Sequence, residues 1–515
     1  MKKSVDASPS RATDPGMFSA FLKFVERGGN ALPHPAALFA LFAFLVLILS
    51  AVGYWLGWSA THPATGQIVD IVNLLSRDNV HRIFTDVVKN YTSFAPLGIV
   101  MVSLLGIGIA ESSGLISAAV RLLVQKAPGW SITYVIVLAG VLSNTASDLG
   151  YVLIIPMAGV IFHALGRHPV AGMAAAFAGV SGGFSANLFI GTIDPLLAGL
   201  STESAHILDE NYVVLPTANY YFMAVSTIMI AFLVTWVTHR FVEPRLGLYQ
   251  GDATSEPLHP LTSLEKKGLW ASLFLFLAWL GFIALTILPE EGYFRGPGNS
   301  MLHSPLLEGF ITLLLLMAGS LGYVYGKITG KFKHHADLIK GMTDHMKTLA
   351  SFLVLVFFAA QFVAFFRWSH LGLVFAINGA GILQELNIGL VPLILLFVIL
   401  SAFLNLFMGS ASAKWAILGP VFVPMFMLLG YSPELSQAVF RVGDSVTNII
   451  SPMMSFFALI IVYFEKYDPK AGLGTLISTM MPYSILLFIF WTTLLIVWSL
   501  LNLPLGPGAP IHYTP

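Results

Sequence analysis

The amino-acid sequence predicts an all-α polytopic membrane protein with nine transmembrane helices and two re-entrant hairpins, arranged as an inverted repeat. Composition is the first observation behind this fold class. Hydrophobic residues make up 56% of the 515 residues and charged residues only 10%, whereas a soluble domain carries about 25% charged residues. Lysine plus arginine and aspartate plus glutamate number 26 each, so no net positive charge attracts nucleic acid, and nucleic-acid binding is excluded.

The second observation is the number of long apolar segments. A bilayer core of about 30 Å requires about 20 apolar residues per crossing helix. Nine segments meet this requirement, namely 36–57, 97–120, 170–200, 219–238, 270–288, 307–326, 348–366, 434–464 and 475–503. The first segment is too long for the core of a signal peptide, so we expect it to be retained.

Two further apolar stretches, 130–166 and 388–430, are each interrupted midway by small polar residues. The first interruption runs from Ser143 to Asp148 and the second from Asn405 to Lys414. Irregular backbone is tolerated at membrane depth only where it faces protein or a water-filled cavity. We therefore predict that both stretches are re-entrant hairpins with polar tips.

The third observation is the distribution of positive charge among the loops. With a cytoplasmic N-terminus, 19 lysine and arginine residues fall in predicted inner segments and five in outer segments. Cytoplasmic loops of membrane proteins collect such residues. The asymmetry predicts a cytoplasmic N-terminus, a periplasmic C-terminus and an odd number of crossings.

An internal repeat links the two interrupted stretches. A shift of 264 residues superimposes helix-breaking residues of the two halves, namely Pro156 on Pro420, Gly166 on Gly430 and Pro169 on Pro433. Such residues mark breaks that a duplicated geometry must repeat. One crossing helix lies between the copies, so their orientations are opposite. Inverted repeats with broken helices are typical of secondary transporters, although a symmetric scaffold such as that of some channels is the alternative.

The predicted organisation has five parts. They are a cytoplasmic N-terminal segment (1–35), a first repeat (36–238) with its hairpin (130–166), a linker with one crossing helix (239–306), a second repeat (307–503) with its hairpin (388–430), and a periplasmic tail (504–515).

Ionisable residues at membrane depth are costly and need a partner or a function. The candidates are Asp148, Asp194, Lys414, Arg441 and Asp444. Arg441 and Asp444 lie three residues apart, so they share a helix face and can form a structural ion pair. In the alternative interpretation Arg441 binds a substrate carboxylate, and Asp444 positions it or accepts a proton.

Small polar residues at 179–187 and 443–448 occupy equivalent places in the two repeats. We expect these segments to unwind and to face the hairpin tips, where oxygen atoms can coordinate a cation. The candidate sodium ligands are Ser143, Asn144, Thr145, Ser185 and Asn187 in the first half, and Ser410, Ser412, Thr447 and Asn448 in the second. The alternative is that small residues merely allow close helix packing.

Trp415 follows the second tip, and its repeat mate is Tyr151. A tryptophan there can stack on an aromatic substrate, although anchoring at the membrane interface is the commoner use. The pairing of two aromatic residues favours a position near a cavity in both halves.

Three longer motifs, Gly409–Trp415, Pro420–Gly430 and Phe440–Ser445, resemble the AbgT family of p-aminobenzoyl-glutamate transporters. The resemblance extends from about residue 20 to residue 508. It implies a homodimer in the bacterial inner membrane, with nine helices and two hairpins per subunit. By motif, the functional residues of the family fall on Asp194, Asn405, Trp415, Pro433, Arg441 and Asp444.

The first tip, Ser143 to Thr145, also resembles that of divalent-anion/sodium symporters, which implies sodium as a coupling ion. Members of the AbgT family are described as importers of p-aminobenzoyl-glutamate and as exporters of sulfonamide-type antimetabolites. The expected function is secondary active transport of an aromatic amide that carries a glutamate. The alternative is proton-driven drug efflux, which requires a titrating carboxylate such as Asp194 or Asp444.

An enzyme is not expected, and neither is any cofactor other than the coupling ion. The chain contains no cysteine, which excludes thiolate chemistry. Ser412 and Lys414 lie two residues apart in an irregular tip, and His163 and His168 have no carboxylate between them. Neither spacing meets the geometric demands of a nucleophile and its base or of a zinc site.

Overall fold

Helices make up nearly all of the regular secondary structure. The computed structural model describes residues 33, 35–61, 66–125, 128–145, 150–251, 260–301, 304–347 and 349–514. Eight helical segments within these ranges are long and apolar enough to cross a membrane. The prediction of a helical polytopic membrane protein is confirmed at this level. The N-terminal segment up to residue 32 and Asp148 of the first tip lie outside the described residues.

The helices of the first half are mostly apolar and are joined by short turns. In chain order they are α1 (Pro35–Trp55), α2 (Arg77–Thr92), α3 (Ala95–Ser113), α4 (Leu115–Gln125), α5 (Ile132–Ser143), α6 (Ile155–Ala164), α7 (Pro169–Phe177), α8 (Ile193–Ala205), α9 (Tyr220–Val237) and α10 (Glu243–Leu246). Between α1 and α2 lie two antiparallel strands, β1 (Ser59–Thr61) and β2 (Ile68–Asp70).

The helices of the linker and the second half continue the same pattern. They are α11 (Ser263–Ile287), α12 (Pro305–Glu308), α13 (Phe310–Thr329), α14 (His335–Lys347), α15 (Ala350–Trp368), α16 (Leu371–Glu385), α17 (Leu390–Asn405), α18 (Ala411–Leu428), α19 (Pro433–Asn448), α20 (Phe457–Glu465) and α21 (Leu473–Leu500).

Both predicted interruptions lie where the sequence places them. Helix α5 ends at Ser143, and the next helical residues that the structure describes form a π-helical turn from Gly150 to Ile154. Helix α17 ends at Asn405 and α18 begins at Ala411. Small polar residues favour such breaks because their side chains bond to the backbone in competition with the helix. Each predicted hairpin therefore consists of two helices joined by a polar segment.

In the first half, two of the predicted crossing segments are not continuous helices. In the segment 170–200, α7 leads into a π-helical turn at 178–182, and no helix follows until α8 begins at Ile193. This break exposes backbone carbonyls to neighbouring side chains, as the predicted unwinding at 179–187 requires. The segment 97–120 is divided by Gly114, whose φ of 84° ends α3.

The predicted unwinding at 443–448 is wrong. Helix α19 continues to Asn448, and the break in the segment 434–464 follows at 449–456, before α20. The physical reason is packing, because a Cβ at Gly443 would lie 2.5 Å from the carbonyl oxygen of Val398 on α17. Gly443 therefore allows two helices to approach closely, which is the alternative that the small residues left open.

Helices α2 and α14 were not predicted. Helix α2 contains charged residues such as Arg77 and Asp78 in its first turn and has no buried residue. Helix α14 ends with His345 and Lys347 in its last turn. Their sequences are too polar for the length and hydropathy requirement of a crossing helix, so a search for apolar segments passes over them.

The C-terminal tail packs back onto the second half instead of extending away. The backbone N–H of Tyr513 donates to the carbonyl of Gly430 at 3.0 Å, and that of Ser432 donates to Ile511 at 2.9 Å. The Tyr513 hydroxyl donates to Asp209 at 3.1 Å. Burial, with Asp209 alongside, raises the pKa of Tyr513 to about 12, so the hydroxyl keeps the proton that it donates.

Helices α3 and α13 pack with their backbones in contact. A Cβ at Gly322 would lie 2.5 Å from the Cα of Ala110, and one at Gly106 would lie 2.6 Å from the Cα of Leu315. Close approach of this kind is typical of small residues at helix interfaces in membranes. The nearest atoms at both positions belong to the backbone, which cannot move aside as the end of a flexible side chain can.

We predict that Gly322→Ala destabilises the protein by about 1–3 kcal/mol, because the new methyl group overpacks the α3–α13 contact. The matched control is Gly281→Ala on α11, where no atom lies within 4 Å of an added Cβ. Thermal unfolding in detergent should show a lower midpoint for Gly322→Ala and an unchanged or higher one for the control. Equal midpoints for both variants would contradict this packing.

Candidate functional site

A buried ion pair joins the two halves of the chain. The Arg441 Nη2 on α19 donates to the Asp194 Oδ1 on α8 at 2.5 Å and to the carbonyl of Ser185 at 3.2 Å. Arg441 is 3% exposed and Asp194 is 7% exposed. The other oxygen of Asp194 accepts the N–H of Gly191 at 2.7 Å. Both carboxylate oxygens therefore have donors.

The predicted pair between Arg441 and Asp444 is not what the structure shows. Three-residue spacing places both residues on related faces of α19, but each of them finds its partner on another helix. Arg441 pairs with Asp194 on α8, and Asp444 forms an ion pair with Lys414 on α18. The two ion pairs therefore connect α19 to α8 and to α18.

Arg441 has a free edge. Its Nε is buried and has no hydrogen-bond partner among the described residues. Beside it lies a cavity of about 10 Å³, whose lining residues are Asn187, Phe189, Ile190, Asp194, Pro216, Asn219, Tyr220, Met223 and Arg441. This volume holds about one water molecule. A guanidinium with an unpartnered nitrogen beside a cavity can bind one carboxylate oxygen or a bidentate carboxylate, once the walls move apart.

Lys414 and Asp444 form the second buried cluster with Asn405. Lys414 lies in the first turn of α18 and is 2% exposed, and Asp444 is 1% exposed. The Lys414 ammonium pairs with the Asp444 carboxylate and donates to the Asn405 Oδ1. The Asn405 Nδ2 lies within hydrogen-bond distance of the Asp444 carbonyl, at 2.6 Å, and of oxygens on Thr447 and Asn448. The second tip is thus tied to α19 at three residues.

Two of the five candidate sodium ligands of the first tip are joined by a hydrogen bond, and a third bonds to the unwound segment. The Asn144 Nδ2 donates to the carbonyl of Val180 at 2.9 Å. The Asn187 Nδ2 donates to the Thr145 Oγ1 at 3.0 Å. Ser143 instead bonds to a carbonyl of its own helix, and Ser185 contributes its carbonyl to Arg441. Thr145 and Asn187 are therefore in contact at this tip, and Asn144 bonds to the backbone of the π-helical turn at 178–182.

The candidate ligands of the second tip separate into two groups. Ser410 caps α18 by accepting the N–H of Ala413 at 3.3 Å, and its hydroxyl lies 3.3 Å from that of Ser412. Thr447 and Asn448 contact Asn405. Among the described residues, no hydrogen bond joins the two serines to Thr447 or Asn448. The Lys414 ammonium donates to Asn405, which also contacts Thr447 and Asn448. A positive charge therefore already lies beside two of the side chains that were predicted to bind a cation.

Trp415 is completely buried at the contact between α18, α8 and α19. Its Nε1 donates to the Ser201 Oγ at 2.9 Å, and its ring stacks on Phe440 at 4.7 Å between centroids. This position argues against anchoring at the membrane interface. Tyr151 is also buried, and it stacks on Phe456 at 4.4 Å. In this conformation both rings contact protein aromatics.

Pro433 begins α19. Ser432 caps the helix by accepting the N–H of Leu435 at 3.2 Å, and the fixed φ of proline suits the first helical position. Its repeat mate Pro169 begins α7 in the same way. Arg441 follows eight residues later, about 12 Å along the helix axis. The structure thus places Pro433 at a helix start, away from the Arg441 cavity.

A sequence model described as the AbgT putative transporter family matches residues 20–513. The chain belongs to this family. The match spans both halves and all the clusters above, so the buried charges lie in an AbgT transporter and not in an enzyme family. The apolar helices and the family together show a multi-pass membrane transporter.

Similar proteins cover nearly the whole chain. The p-aminobenzoyl-glutamate transport protein of Escherichia coli (strain K12) is 38% identical over 486 residues, which are 94% of this chain and 96% of that protein. The crystal structure of the YdaH transporter of Alcanivorax borkumensis, described as having an unusual topology, is 46% identical. It has a TM-score of 0.87 and covers 92% of this chain and 100% of its own.

A third relative is MtrF of Neisseria gonorrhoeae, whose structure is described as illuminating a class of antimetabolite efflux pumps. It is 50% identical and has a TM-score of 0.91. The alignment covers 95% of this chain and 100% of that one. Two solved structures of similar proteins, at 46% and 50% sequence identity, therefore show the fold of this chain.

Sequence reasoning missed three uncharged members of the site, Ser201, Asn219 and Gln437. Ser201 donates to the Gln437 Oε1 at 2.7 Å, and the Gln437 Nε2 donates to the Asn219 Oδ1 at 3.0 Å. Gln437 lies four residues before Arg441, so both lie on one face of α19. Polar residues at positions 434, 437, 441 and 444 follow helical spacing, and this stripe was the available signal in the AbgT sequence.

We predict that Asp194→Asn destabilises this AbgT protein by about 3–5 kcal/mol, because it leaves the Arg441 charge buried without a counter-charge. The double variant Asp194→Asn/Arg441→Gln removes both charges and should be less destabilised than the single one. The midpoint of thermal unfolding in detergent measures both effects.

The matched control is Asp344→Asn, whose partner Lys347 forms an exposed ion pair at 2.7 Å. Exposed pairs contribute at most about 1 kcal/mol, so this variant should unfold close to the wild-type midpoint. An additive double variant would show that the Asp194–Arg441 pair is energetically uncoupled.

Proposed function

We propose that the protein is a secondary active transporter of p-aminobenzoyl-glutamate or a similar folate catabolite across the bacterial inner membrane, coupled to a sodium or proton gradient. The observation that carries the proposal is Arg441, a buried guanidinium with an unpartnered Nε beside a polar cavity. Guanidinium groups are suited to bidentate binding of carboxylates. The proposed solute carries two carboxylates on its glutamate.

We also propose the finer topology of nine crossings and two hairpins in an inverted repeat, with a cytoplasmic N-terminus and a periplasmic C-terminus. One pair of contacts supports the repeat. The tip residue Asn144 donates to the carbonyl of Val180, and the tip residue Asn405 donates to the carbonyl of Asp444. Val180 and Asp444 are 264 residues apart, which is the shift that aligns the two halves.

The proposed transport cycle opens the contact between the halves. Sites for drug-sized solutes have volumes of about 300–1,000 Å³, far above the 10 Å³ beside Arg441. Separation of α8 from α18 and α19 would widen this cavity and uncover one face of Trp415, which could then stack on the aromatic ring. A solute carboxylate would take the free edge of Arg441 or displace Asp194 from it. Alternate opening to each side is the mechanism expected of inverted repeats.

The cation sites and the dimer belong to the same proposal. Sodium would bind at the first tip, close to Asn144, Thr145 and Asn187. A homodimer would form through outer helices such as α11, which has only Gly268 and Ser272 buried. Its remaining apolar surface is available for lipid or for a second copy of the chain.

A second candidate function is proton-driven efflux of sulfonamide-type antimetabolites. The supporting observation is the 50% identity to MtrF over nearly the whole chain. Efflux would use the same architecture, with a buried carboxylate such as Asp194 or Asp444 carrying the proton.

We predict that Arg441→Lys reduces uptake of labelled p-aminobenzoyl-glutamate into proteoliposomes by about 10- to 100-fold, since an ammonium cannot reproduce the bidentate geometry. Arg77→Lys, a change of the same type at an exposed position in α2, is the control and should transport normally. Normal uptake by Arg441→Lys would remove Arg441 from the solute site.

The coupling ion is tested by counterflow in wild-type proteoliposomes under separately imposed sodium and proton gradients. We expect concentrative uptake of p-aminobenzoyl-glutamate under one gradient, and no stimulation by the other. Sulfonamide export that follows the proton gradient, without movement of p-aminobenzoyl-glutamate, would favour the efflux function. Movement of neither solute under any gradient would contradict both.

A further inference from the structure

Lys414 is completely surrounded by protein at the second tip. Its ammonium contacts the Asp444 carboxylate and the Asn405 Oδ1. No other hydrogen bond to the Asp444 carboxylate is present among the described residues. A buried carboxylate requires a counter-charge, and here one lysine supplies it. A carboxylate and an amide oxygen are ligands that would suit a small cation. Here they surround the ammonium of Lys414 instead.

The corresponding position in the first half has no charge. The shift of 264 residues places Gly150 opposite Lys414 and Val180 opposite Asp444. These two positions are also neighbours in space, because a Cβ at Gly150 would lie 2.8 Å from both methyl carbons of Val180. The two halves thus bring equivalent positions together, but only the second half has an ion pair there.

The tip asparagines differ in the same way. The Asn405 Oδ1 accepts the Lys414 ammonium. The Asn144 Oδ1 is buried and accepts no hydrogen bond within the described part of the chain, although Asn144 is only 6% exposed. The two asparagines are 261 residues apart. The tip asparagine of the first half therefore has a buried amide oxygen without a donor, whereas that of the second half accepts a lysine.

We propose that the Lys414 ammonium is a tethered cation that takes the place of a free ion at the second tip. The inference rests on the proposed transport function and revises its ion sites. Only the first tip, at the Asn144 Oδ1, binds a free monovalent cation. Lys414 is a positioning residue, because it holds the second tip on α19 through Asp444 and does not contact the solute.

The arrangement has a direct consequence for coupling. A free cation can leave its site at each cycle, whereas a lysine side chain remains attached to α18. The second half therefore keeps its positive charge in every state, and the coupling ion enters through the first half alone. In this arrangement neither predicted ligand of the tip binds sodium: Ser410 caps α18, and Ser412 contacts the Ser410 hydroxyl.

The test measures thermal unfolding of the purified full-length protein in detergent and does not depend on transport. Lys414→Ala removes the ammonium and leaves Asp444 and Asn405 with space for a small cation. In N-methylglucamine chloride this variant should unfold below the wild type. Sodium or ethylammonium chloride at the same ionic strength should raise its midpoint by about 2–4 °C. Ethylammonium should leave the wild-type midpoint unchanged.

The matched control is Lys414→Ala/Asp444→Asn, which lacks both charges and should lose the cation response. Equal responses of the wild type, Lys414→Ala and the double variant would overturn the proposal. Lys414→Ser, whose short polar side chain also leaves the place of the ammonium empty, replaces Lys414→Ala if that variant does not fold. If both single variants fail to fold in every cation while the double variant folds, no free cation replaces the ammonium, and the proposal is wrong.

Failure of the transport function is distinguishable from failure of this inference. Proteoliposomes that move neither p-aminobenzoyl-glutamate nor sulfonamide would contradict the proposed function while leaving the cation response of Lys414→Ala intact. Conversely, normal solute transport combined with no cation response in Lys414→Ala would contradict the tethered cation alone.

Discussion

The arrangement of the central helices depends on the cost of burying charge. An isolated ion in a low-dielectric interior loses several kcal/mol of hydration, which only a close counter-charge with further hydrogen bonds offsets. Two acidic and two basic side chains of the central helices are buried and form two ion pairs: Asp194 with Arg441 and Lys414 with Asp444. Since α19 provides one member of each pair, α8 and α18 can pack against it only in positions that keep both pairs together.

Further polar side chains extend this constraint along α19. Glu434 accepts a hydrogen bond from the Tyr212 hydroxyl at 2.8 Å, and Gln437 links Ser201 to Asn219. A helix buried on all sides usually has only apolar contacts, whereas this one has a directional polar contact at almost every turn. Directional contacts favour a few discrete positions over continuous sliding, because each displacement must replace one set of partners by another. A carboxylate solute is suited to such an exchange, since it can substitute for Asp194 beside Arg441.

The sequence predicted the helical class and the places of the polar interruptions because both depend on local composition. It did not predict partners, since the spacing of Arg441 and Asp444 gives their relative orientation on α19 but not the neighbouring helices. The same limit explains the wrong prediction at Gly443. Glycine suits both an unwound segment and a close helix contact, and the choice between them depends on the position of Val398, which the sequence does not give. The site residues Ser201 and Gln437 carry no charge, so the cost of burial did not mark them. The roles of Trp415, Pro433 and the candidate sodium ligands remain predictions.

The returning C-terminal tail has a mechanical consequence. Its backbone pairs with residues 430 and 432, which form the elbow between α18 and α19, while Tyr513 reaches the loop after α8. The tail thus connects α8, α18 and α19, which the proposed cycle would move relative to one another. A change in the angle between α18 and α19 must either move residues 511–513 with the elbow or break their hydrogen bonds to it. The last residues are therefore a natural place for a spectroscopic reporter of the elbow angle, and a poor place for a rigid fusion partner.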